Sequence, residues 1–391
     1  MQPFEFQTVL FNFHDLILLM TAMQCLFFGL LLFVTNNHRI KSTSFLAAFL
    51  IAHAFIPLHE LIMWGADFKI QVRETLPQVY FIPGIAYFID GPLLYLCIKS
   101  LVFKDFLLKK IDLLHLLPLL IYAVFMSLSF YSQSYENRMV MINTESFVYS
   151  ANYVVIEFFN KWLRVIYAVA CFILISRYKT LLQDKHSNVE KVHIFWLSSL
   201  VIGFMAVMLS ETILVGTKVI SLFESFGNMV FMSIGLTGNY ASFILINLLV
   251  FSAMRHFSVF VQVTEEKPDK KILEERFVNP DMAEDVDMAI RKDKTYMEPD
   301  ITLDTLAVSL SIMPRDLSML INRHFGINFY EFINKYRIEE AKRMLLAPEH
   351  KNTNITDIYL AVGFNSKSVF YTFFKKSEGV TPSKFREAGA H

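Results

Sequence analysis

Seven long apolar stretches occupy the first two thirds of this chain, and they restrict its fold more than any other feature. Each approaches or exceeds the roughly 20 residues that a helix needs to cross a bilayer. The fifth is the weakest, because it contains Arg164, although it extends back to Tyr153. The pattern predicts an all-α fold with a polytopic bundle of transmembrane helices. The stretches are 16–34, 44–64, 76–98, 113–131, 162–175, 194–215 and 227–254.

The composition agrees with lipid around much of the chain. Of 391 residues, 54% are apolar and only 18% are charged, and this charged fraction is low for a soluble protein. Lys and Arg together equal Asp and Glu, at 36 each. A chain without net charge gives no electrostatic argument for a nucleic acid partner, so any such argument has to come from a motif.

Positive charge in the loops predicts the orientation of the bundle. Cytoplasmic loops of membrane proteins carry the excess of Lys and Arg. The first, third and fifth loops hold ten such residues and the second, fourth and sixth hold four. We therefore expect an inner-membrane protein with its N-terminus outside and its C-terminus in the cytoplasm. The ten are Arg39, Lys41, Lys99, Lys104, Lys109, Lys110, Arg177, Lys179, Lys185 and Lys191; the four are Lys69, Arg73, Arg138 and Lys218.

Ionisable side chains within the apolar stretches are candidate signal residues. His53, Asp90 and Glu211 are the main ones, since charges at membrane depth are costly and often mark a site or a relay. The alternative is that each forms a hydrogen bond to a neighbouring helix or reaches the interface. Glu157 and Lys161 are four residues apart, which predicts a surface pair on one helix. The spacing of His, Cys and acidic residues predicts no metal site.

A different pattern begins after Pro299. Thr302 caps a short helix, a turn follows at Ser311, and Pro314 opens a second helix at its first turn, where its missing N–H costs nothing. Gly326 marks the end of that helix. Asn328, with Glu331 three residues on, then starts a longer helix that runs to about Leu346.

The short pattern then recurs. Asn354 is predicted to cap one helix, Gly363 to make a turn, and Asn365 to cap the next helix. Apolar spacing predicts the buried face of this second unit. The C-terminal part is therefore a helix-turn-helix, a linking helix and a second helix-turn-helix. The residues predicted to be buried here are Ile355, Ile358, Ala361, Val362, Val369, Phe370, Phe373 and Phe374.

The segments "YRIEEAKRML", "ITDIYLAVGF", "SVFYTFFKK" and "GVTPSKFR" resemble the DNA-binding domain of the AraC/XylS transcription regulators over residues 301–386. The resemblance implies that the second helix of each unit enters the major groove of double-stranded promoter DNA. By position, the implied DNA-contacting residues are Arg315, Ser318, Met319, Asn322 and Arg323 in the first unit, and Ser366, Lys367, Ser368, Tyr371, Thr372, Lys375 and Lys376 in the second.

The first unit departs from the family pattern at two positions. Ser311 stands where the family usually has a turn glycine, and Met313 stands where a capping serine is usual. A lost cap costs on the order of 1 kcal/mol. We therefore expect the first unit to be less rigid, or weaker in base reading, than the second.

These observations predict three domains: a seven-span sensor at 1–254, a polar linker with a short helix at 281–292 within 255–300, and a double helix-turn-helix domain at 301–391. The function they favour is a bacterial membrane-bound one-component transcription regulator. Its expected partners are promoter DNA, membrane lipid, an unidentified signal and a second copy as a homodimer, with no cofactor.

Two alternatives belong to other classes. One is a receptor or transporter-like bundle whose helical tail binds a protein partner. The other is an intramembrane enzyme that uses His53, Glu60 or Asp90. No catalytic triad, nucleophile elbow or phosphate-binding glycine loop occurs in the sequence, so no enzyme activity is expected.

Overall fold

The computed structural model describes residues 12–36, 40–103, 106–188, 194–221, 228–256 and 280–389. Within these ranges the fold is helical and has no β-strand, which confirms the predicted all-α class. Contacts divide the chain into two units. The first comprises Met1–Ile175 and Phe195–Thr264, and the second comprises Ser176–Ile194 and Glu265–His391.

Among its described residues, the first unit has nine α-helices, together with short 3₁₀ segments at Pro77–Val79, Ile82–Phe88 and Lys110–Leu116 and a π-helical turn at Ser127–Tyr131. The α-helices are α1 (Phe13–Thr35), α2 (Lys41–Trp64), α3 (Asp67–Thr75), α4 (Asp90–Val102), α5 (Leu117–Met126), α6 (Tyr135–Asn143), α7 (Ala151–Lys185), α8 (Ile194–Ser221) and α9 (Asn228–His256). The short helices α3 and α6 were not predicted from the sequence, because neither carries an apolar stretch.

Seven helical segments of the described chain are long and apolar enough to cross a membrane, and they coincide with the seven predicted stretches. The fifth, predicted to be the weakest, is the longest single helix: α7 has 35 residues. Large apolar side chains point out of these helices, as with Phe27 (63% exposed), Leu120 (59%) and Ile173 (60%). An apolar outer surface on this scale is what lipid contact requires.

The third segment is broken next to the sequence Asp90-Gly91-Pro92. A 3₁₀ stretch ends at Phe88 and α4 begins at Asp90, whose carboxylate accepts a 2.7 Å hydrogen bond from the Gly91 N–H. Gly91 also lets α4 approach α7 closely, since a Cβ there would lie 3.1 Å from the Tyr167 ring. The break therefore places a carboxylate inside the helix bundle.

A buried network of charges joins α4, α7 and α8. The Arg164 guanidinium of α7 donates to Asp90 at 2.8 Å and also to Glu211 of α8, and Lys161 donates to Glu211 at 2.7 Å. The His53 Nδ1 atom lies 3.7 Å from Asp90. The structure thus brings Asp90, His53 and Glu211 together around Arg164.

The predicted surface pair between Glu157 and Lys161 does not form. Lys161 is buried and binds Glu211 instead, whereas Glu157 accepts a 3.1 Å hydrogen bond from Lys218 of α8. Both residues point into the bundle, where a partner on another helix is closer than one along α7. Spacing along a single helix could not reveal this.

In the part of the second unit that the structure describes, the end of α7 is followed by seven further helices. These are α10 (Pro280–Asp293), α11 (Leu303–Ser309), α12 (Pro314–Arg323), α13 (Phe329–Leu346), α14 (Ile355–Ala361), α15 (Lys367–Glu378) and α16 (Pro382–Gly389). The predicted short helix at 281–292 is confirmed as α10. The charged part of the connector at 265–271 lies outside the described residues, as do Arg39, Lys104 and Lys191.

Helix α13 contributes to two separate hydrophobic cores. Phe332 and Ile333 in its first half pack with α10, α11 and α12, while Ala341 and Leu345 in its second half pack with α14 and α15. Because α10 supplies Ala283, Val286 and Ile290 to the first core, part of the segment expected to be a linker is integral to the packing of this unit.

Removing Arg164 is expected to destabilise the first unit strongly. Arg164→Met leaves the fully buried Asp90 without its main cation, and breaking a buried ion pair costs about 3–5 kcal/mol. Adding Asp90→Asn removes the stranded charge and is expected to recover part of the loss. Thermal unfolding of the detergent-solubilised protein measures both effects.

Lys179→Met, at an exposed position on the same helix, is the matched control and is expected to unfold with the wild type. An Arg164→Met variant that also melts with the wild type would contradict a structural role for this network.

Candidate nucleic-acid interface

The first helix-turn-helix unit consists of α11 and α12. The Thr302 hydroxyl caps α11 by accepting a hydrogen bond from the Thr305 N–H at 3.2 Å, as predicted. Pro314 occupies the first turn of α12, and Met313 at its N-cap makes no side-chain cap bond. Leu317, Leu320 and Ile321 are buried and form the packed face of α12.

The turn between these helices contains a serine in a conformation that favours glycine. Ser311 has φ +57°, in the left-handed region where a Cβ costs roughly 1–2 kcal/mol. At the corresponding turn of the second unit, Gly363 has φ +95°. The glycine that the family pattern expects is therefore replaced by a strained serine in the first unit only.

The second helix-turn-helix unit consists of α14 and α15, and its N-caps differ from the prediction. Asn354 occupies the N-cap of α14 without a side-chain cap bond. The N-cap of α15 is Ser366 rather than Asn365, and the Asn365 amide instead donates to Asp300 at 3.4 Å. A tertiary partner thus replaces the local capping role predicted for Asn365.

The buried face of the second unit is largely the predicted one. Phe370 and Phe374 of α15 and Ile358 and Val362 at α14 are buried. Ile355, Val369 and Phe373 are partly buried. Ala361 is exposed, because α14 ends at this residue and the chain turns away before another helical turn can cover it.

All five predicted DNA-contacting residues of the first unit are accessible. Arg315, Asn322 and Arg323 are exposed, and Ser318 and Met319 are half-buried. The Asn322 amide lies 3.4 Å from the Ser318 hydroxyl. The exposed face of α12 therefore presents amide, hydroxyl and guanidinium groups, the groups that pair with base edges and phosphates.

The second unit presents its predicted residues on α15 in the same way. Lys367, Ser368, Thr372 and Lys375 are exposed, while Ser366 and Tyr371 are half-buried. The Lys367 ammonium lies 5.4 Å from the Tyr371 ring centre. Two cations and several hydroxyls thus share one rigid helical face.

Lys376 differs from the other residues predicted to contact DNA. Its ammonium is exposed but forms a 3.0 Å ion pair with Glu331 of α13. An exposed ion pair of this kind contributes at most about 1 kcal/mol, so Glu331 holds the lysine only weakly.

A buried arginine that the sequence did not single out holds the domain's N-terminal segment in place. Arg337 of α13 is 1% exposed and donates at 2.7 Å to the carbonyl oxygens of Tyr296 and Glu298. It also donates to the Ser187 hydroxyl at 3.3 Å. Burial lowers the pKa of the Arg337 guanidinium to about 10. Only its place in the "YRIEEAKRML" segment hinted at a role.

Among the described residues no cluster of His, Cys, Asp and Glu is arranged to hold a metal ion. The three cysteines are buried and unbridged. What the C-terminal domain does present is an exposed surface of hydrogen-bonding and cationic side chains on α12 and α15.

Comparison with known proteins identifies this domain. Residues 306–388 match a family described as "Helix-turn-helix domain". The chain is 35% identical over 89 residues to "Probable transcription factor PqrA" of Proteus vulgaris, which spans 23% of this chain and 70% of that protein. It is 34% identical over 95 residues to "Bifunctional transcriptional activator/DNA repair enzyme AdaA" of Bacillus subtilis, which spans 24% of this chain and 43% of that protein.

A third relative is "Uncharacterized HTH-type transcriptional regulator YtdP" of Bacillus subtilis, 32% identical over 90 residues, or 23% of this chain and 11% of that protein. The chain thus spans only a small part of some relatives. No solved structure gives a significant match. The paired helix-turn-helix units are those of a transcription regulator, and the chain belongs to the AraC-type helix-turn-helix family.

The two turn residues are expected to respond in opposite ways to substitution. Ser311→Gly relieves left-handed strain and is expected to stabilise the first unit by up to about 1 kcal/mol, after the extra flexibility of unfolded glycine is subtracted. Gly363→Ala places a Cβ 2.7 Å from the Met297 carbonyl oxygen and is expected to cost at least about 2 kcal/mol.

Hydrogen exchange of the amides in α11–α12 and in α14–α15 measures the two effects separately. Slower exchange in α11–α12 is expected for Ser311→Gly, and faster exchange in α14–α15 for Gly363→Ala. Equal protection in the wild type and both variants would disprove the assigned backbone strain.

Proposed function

We propose that this protein is a membrane-bound one-component transcription regulator. In this proposal the sensor domain predicted at residues 1–254, which contains most of the first unit, lies in the bacterial inner membrane. Its N-terminus is outside, and residues 301–391 read promoter DNA in the cytoplasm. The observation that carries the proposal is the presence in one chain of seven span-length apolar helices and an AraC-type domain. In a transcription regulator, the evident use of such a bundle is to hold the protein in the membrane and to receive a signal there.

The charge distribution supports the proposed orientation. Odd-numbered loops carry ten Lys and Arg residues and even-numbered loops carry four, and the side with the excess is the cytoplasmic one. Seven crossings then bring the C-terminal domain to the compartment that holds the chromosome. The loop count and the location of the target therefore agree.

The exposed faces of α12 and α15 support sequence-specific DNA binding. In the proposed complex each helix inserts into a major groove, which is about 12 Å wide and admits one helix. Arg315, Asn322 and Thr372 would contact base edges, while Lys367 and Lys375 would contact phosphates and fix the register. The remaining exposed residues of the two faces would complete these contacts.

Contacts at the end of α7 support control of DNA binding by the N-terminal unit. The chain leaving α7 forms a β-bridge between His186 and Thr302. The Ser187 N–H donates to the Ile301 carbonyl oxygen at 3.2 Å, and Arg337 reaches the Ser187 hydroxyl. A movement of α7 would therefore act directly on the segment that starts the first helix-turn-helix unit. A signal controls this element only if it binds two of its states with different affinity.

Genome-wide footprinting of the intact tagged protein tests the DNA-binding face. Lys367→Ala and Arg323→Ala are each expected to weaken the affinity for the sites about fivefold to a hundredfold, and so to reduce the footprint, since a lost base or phosphate contact costs about 1–3 kcal/mol. Lys292→Ala removes the same charge from an exposed position on α10 and is expected to leave the footprint unchanged.

Titration of DNA onto the full-length protein in lipid nanodiscs adds a readout of phosphate contacts. The logarithm of affinity is expected to fall steeply with the logarithm of salt concentration, with Lys367→Ala lowering the slope by about one. A footprint that survives both substitutions would contradict the assigned faces. Failure to bind any duplex would instead favour a helical tail that binds a protein partner.

The proposed location is tested by reporter fusions after residue 391. A C-terminal fluorescent protein is expected to mature and a C-terminal alkaline phosphatase to stay inactive, because only the cytoplasm permits the former and prevents the latter. A phosphatase fused in the loop after α2 is expected to be active. Activity of the C-terminal phosphatase would place the DNA-binding domain outside and would disprove the proposed function.

A further inference from the structure

A cavity of about 610 Å³ opens within the N-terminal unit. Its wall comes from the first residues of α1, the last turns of α2, the N-terminal halves of α7 and α9, and the C-terminal half of α8. These helix ends all lie at the same end of the bundle, away from the lysine-rich loops. The volume falls within the range of about 300–1,000 Å³ that is usual for small-molecule sites.

The wall of the cavity carries more carboxylates than cations. Glu60, Glu157 and Glu211 line it together with Lys161 and Lys218. Behind them, Arg164 and Asp90 form a fully buried pair. Four carboxylates therefore face three cations, and one negative charge is left in excess.

The lysines of the wall already have partners. Lys161 binds Glu211 and lies 3.6 Å from the centre of the Tyr87 ring. Lys218 binds Glu157 and lies 5.5 Å from the centre of the Trp64 ring. A ligand carboxylate would have to compete with a glutamate at either lysine, so the pocket is poorly suited to an anion.

Glu60 is the carboxylate without an ion pair. Its Oε1 atom accepts a hydrogen bond from the Tyr87 hydroxyl at 2.5 Å, and no cation within ion-pair distance is found for it in the described part of the chain. Glu60 is half-buried and lines the cavity. A partly desolvated carboxylate is stabilised by an ammonium group brought into contact with it.

Much of the remaining wall is apolar or aromatic, and includes Phe13, Tyr240, Leu214, Val215 and Leu236. Four polar residues, Asn12, His14, Ser210 and Asn239, also line the cavity. Gly235 also lines the cavity, and a Cβ there would meet only Leu214, at 3.8 Å. The pocket therefore offers one carboxylate without an ion pair and a largely apolar space that is large enough for a ring or a short alkyl chain.

We propose that this cavity binds a small amphiphilic primary amine, with its ammonium on Glu60 and its apolar body against the α8 and α9 walls. This inference rests on the proposed function, in which the amine is the signal. The amine enters from the outer face, because the cavity lies at the end of the bundle opposite the cytoplasmic loops. Binding bridges α2, α7 and α8, and α7 continues into the unit that holds the DNA-binding helices.

Calorimetric titration of the full-length protein in lipid nanodiscs tests this with four probes that share a phenyl ring on a short chain and differ in charge. They are 2-phenylethylamine, 3-phenylpropionate, phenylalanine and 2-phenylethanol. The amine is expected to bind at least tenfold more tightly than the other three. Binding of phenylpropionate or phenylalanine as tight as that of the amine would overturn the excess of negative charge on which the proposal rests.

Three variants locate the site. Glu60→Gln is expected to weaken amine binding at least tenfold without changing the affinity for phenylethanol. Gly235→Leu fills the chamber without touching the charges and is expected to weaken both. Glu136→Gln, at an exposed position on α6, is the matched control and is expected to bind like the wild type. Should Glu60→Gln fail to fold, as its thermal melt would show, Gly235→Leu and the probe series still decide.

Undiminished amine binding by Gly235→Leu or by folded Glu60→Gln would overturn the proposal. DNA binding by the same nanodisc preparation separates this failure from a failure of the proposed function. A protein that binds duplex DNA but no amine remains a regulator with a different signal, whereas one that binds the amine but no DNA retains the site and loses the regulatory role.

Discussion

An arginine inside an apolar bundle can persist only if the fold brings carboxylates to it, and Arg164 imposes this requirement on three helices at once. The break before α4 delivers Asp90, and α8 delivers Glu211. A buried charge without an ion-pair partner is energetically costly in an apolar bundle. The relative placement of these helices therefore depends on ion pairing as much as on apolar packing. Lys161 and Lys218, which line the cavity, are likewise paired with glutamates. What looks like a weakness in the fifth apolar stretch is therefore the feature that organises its neighbours.

The C-terminal domain solves a different problem, because each helix-turn-helix unit is too small to build a core alone. Helix α13 contributes one half of its apolar surface to each unit, so neither unit packs without it. Arg337 on the same helix then fixes the segment around Tyr296 and Glu298 by donating hydrogen bonds to carbonyl oxygens. Such an arrangement depends on the fork-like geometry of a guanidinium, which a lysine would not reproduce.

Local periodicity and composition predicted the long helices of the described residues, the twin helix-turn-helix order and the exposed faces of α12 and α15, because each of these depends on residues a few positions apart. Contacts between residues that are distant in the sequence could not be predicted in this way. Lys161 was assigned to Glu157 by spacing, yet it binds Glu211 on another helix, and Asn365 was assigned a cap but contacts Asp300. Arg337 was missed because a charged residue in an amphipathic helix is ordinarily exposed. The sequence did reveal the missing turn glycine at Ser311, since backbone chemistry at a turn is local, and the left-handed φ of that serine bears it out.

The exposed surfaces of α12 and α15 are not copies of each other. One carries two arginines, a methionine and an asparagine, and the other carries lysines, hydroxyls and a tyrosine. Two unlike surfaces joined in a single polypeptide can match a stretch of double helix in only one direction. One protomer would thus bind an asymmetric site in a single orientation without a second copy. The order of the two helices along the chain would set that orientation.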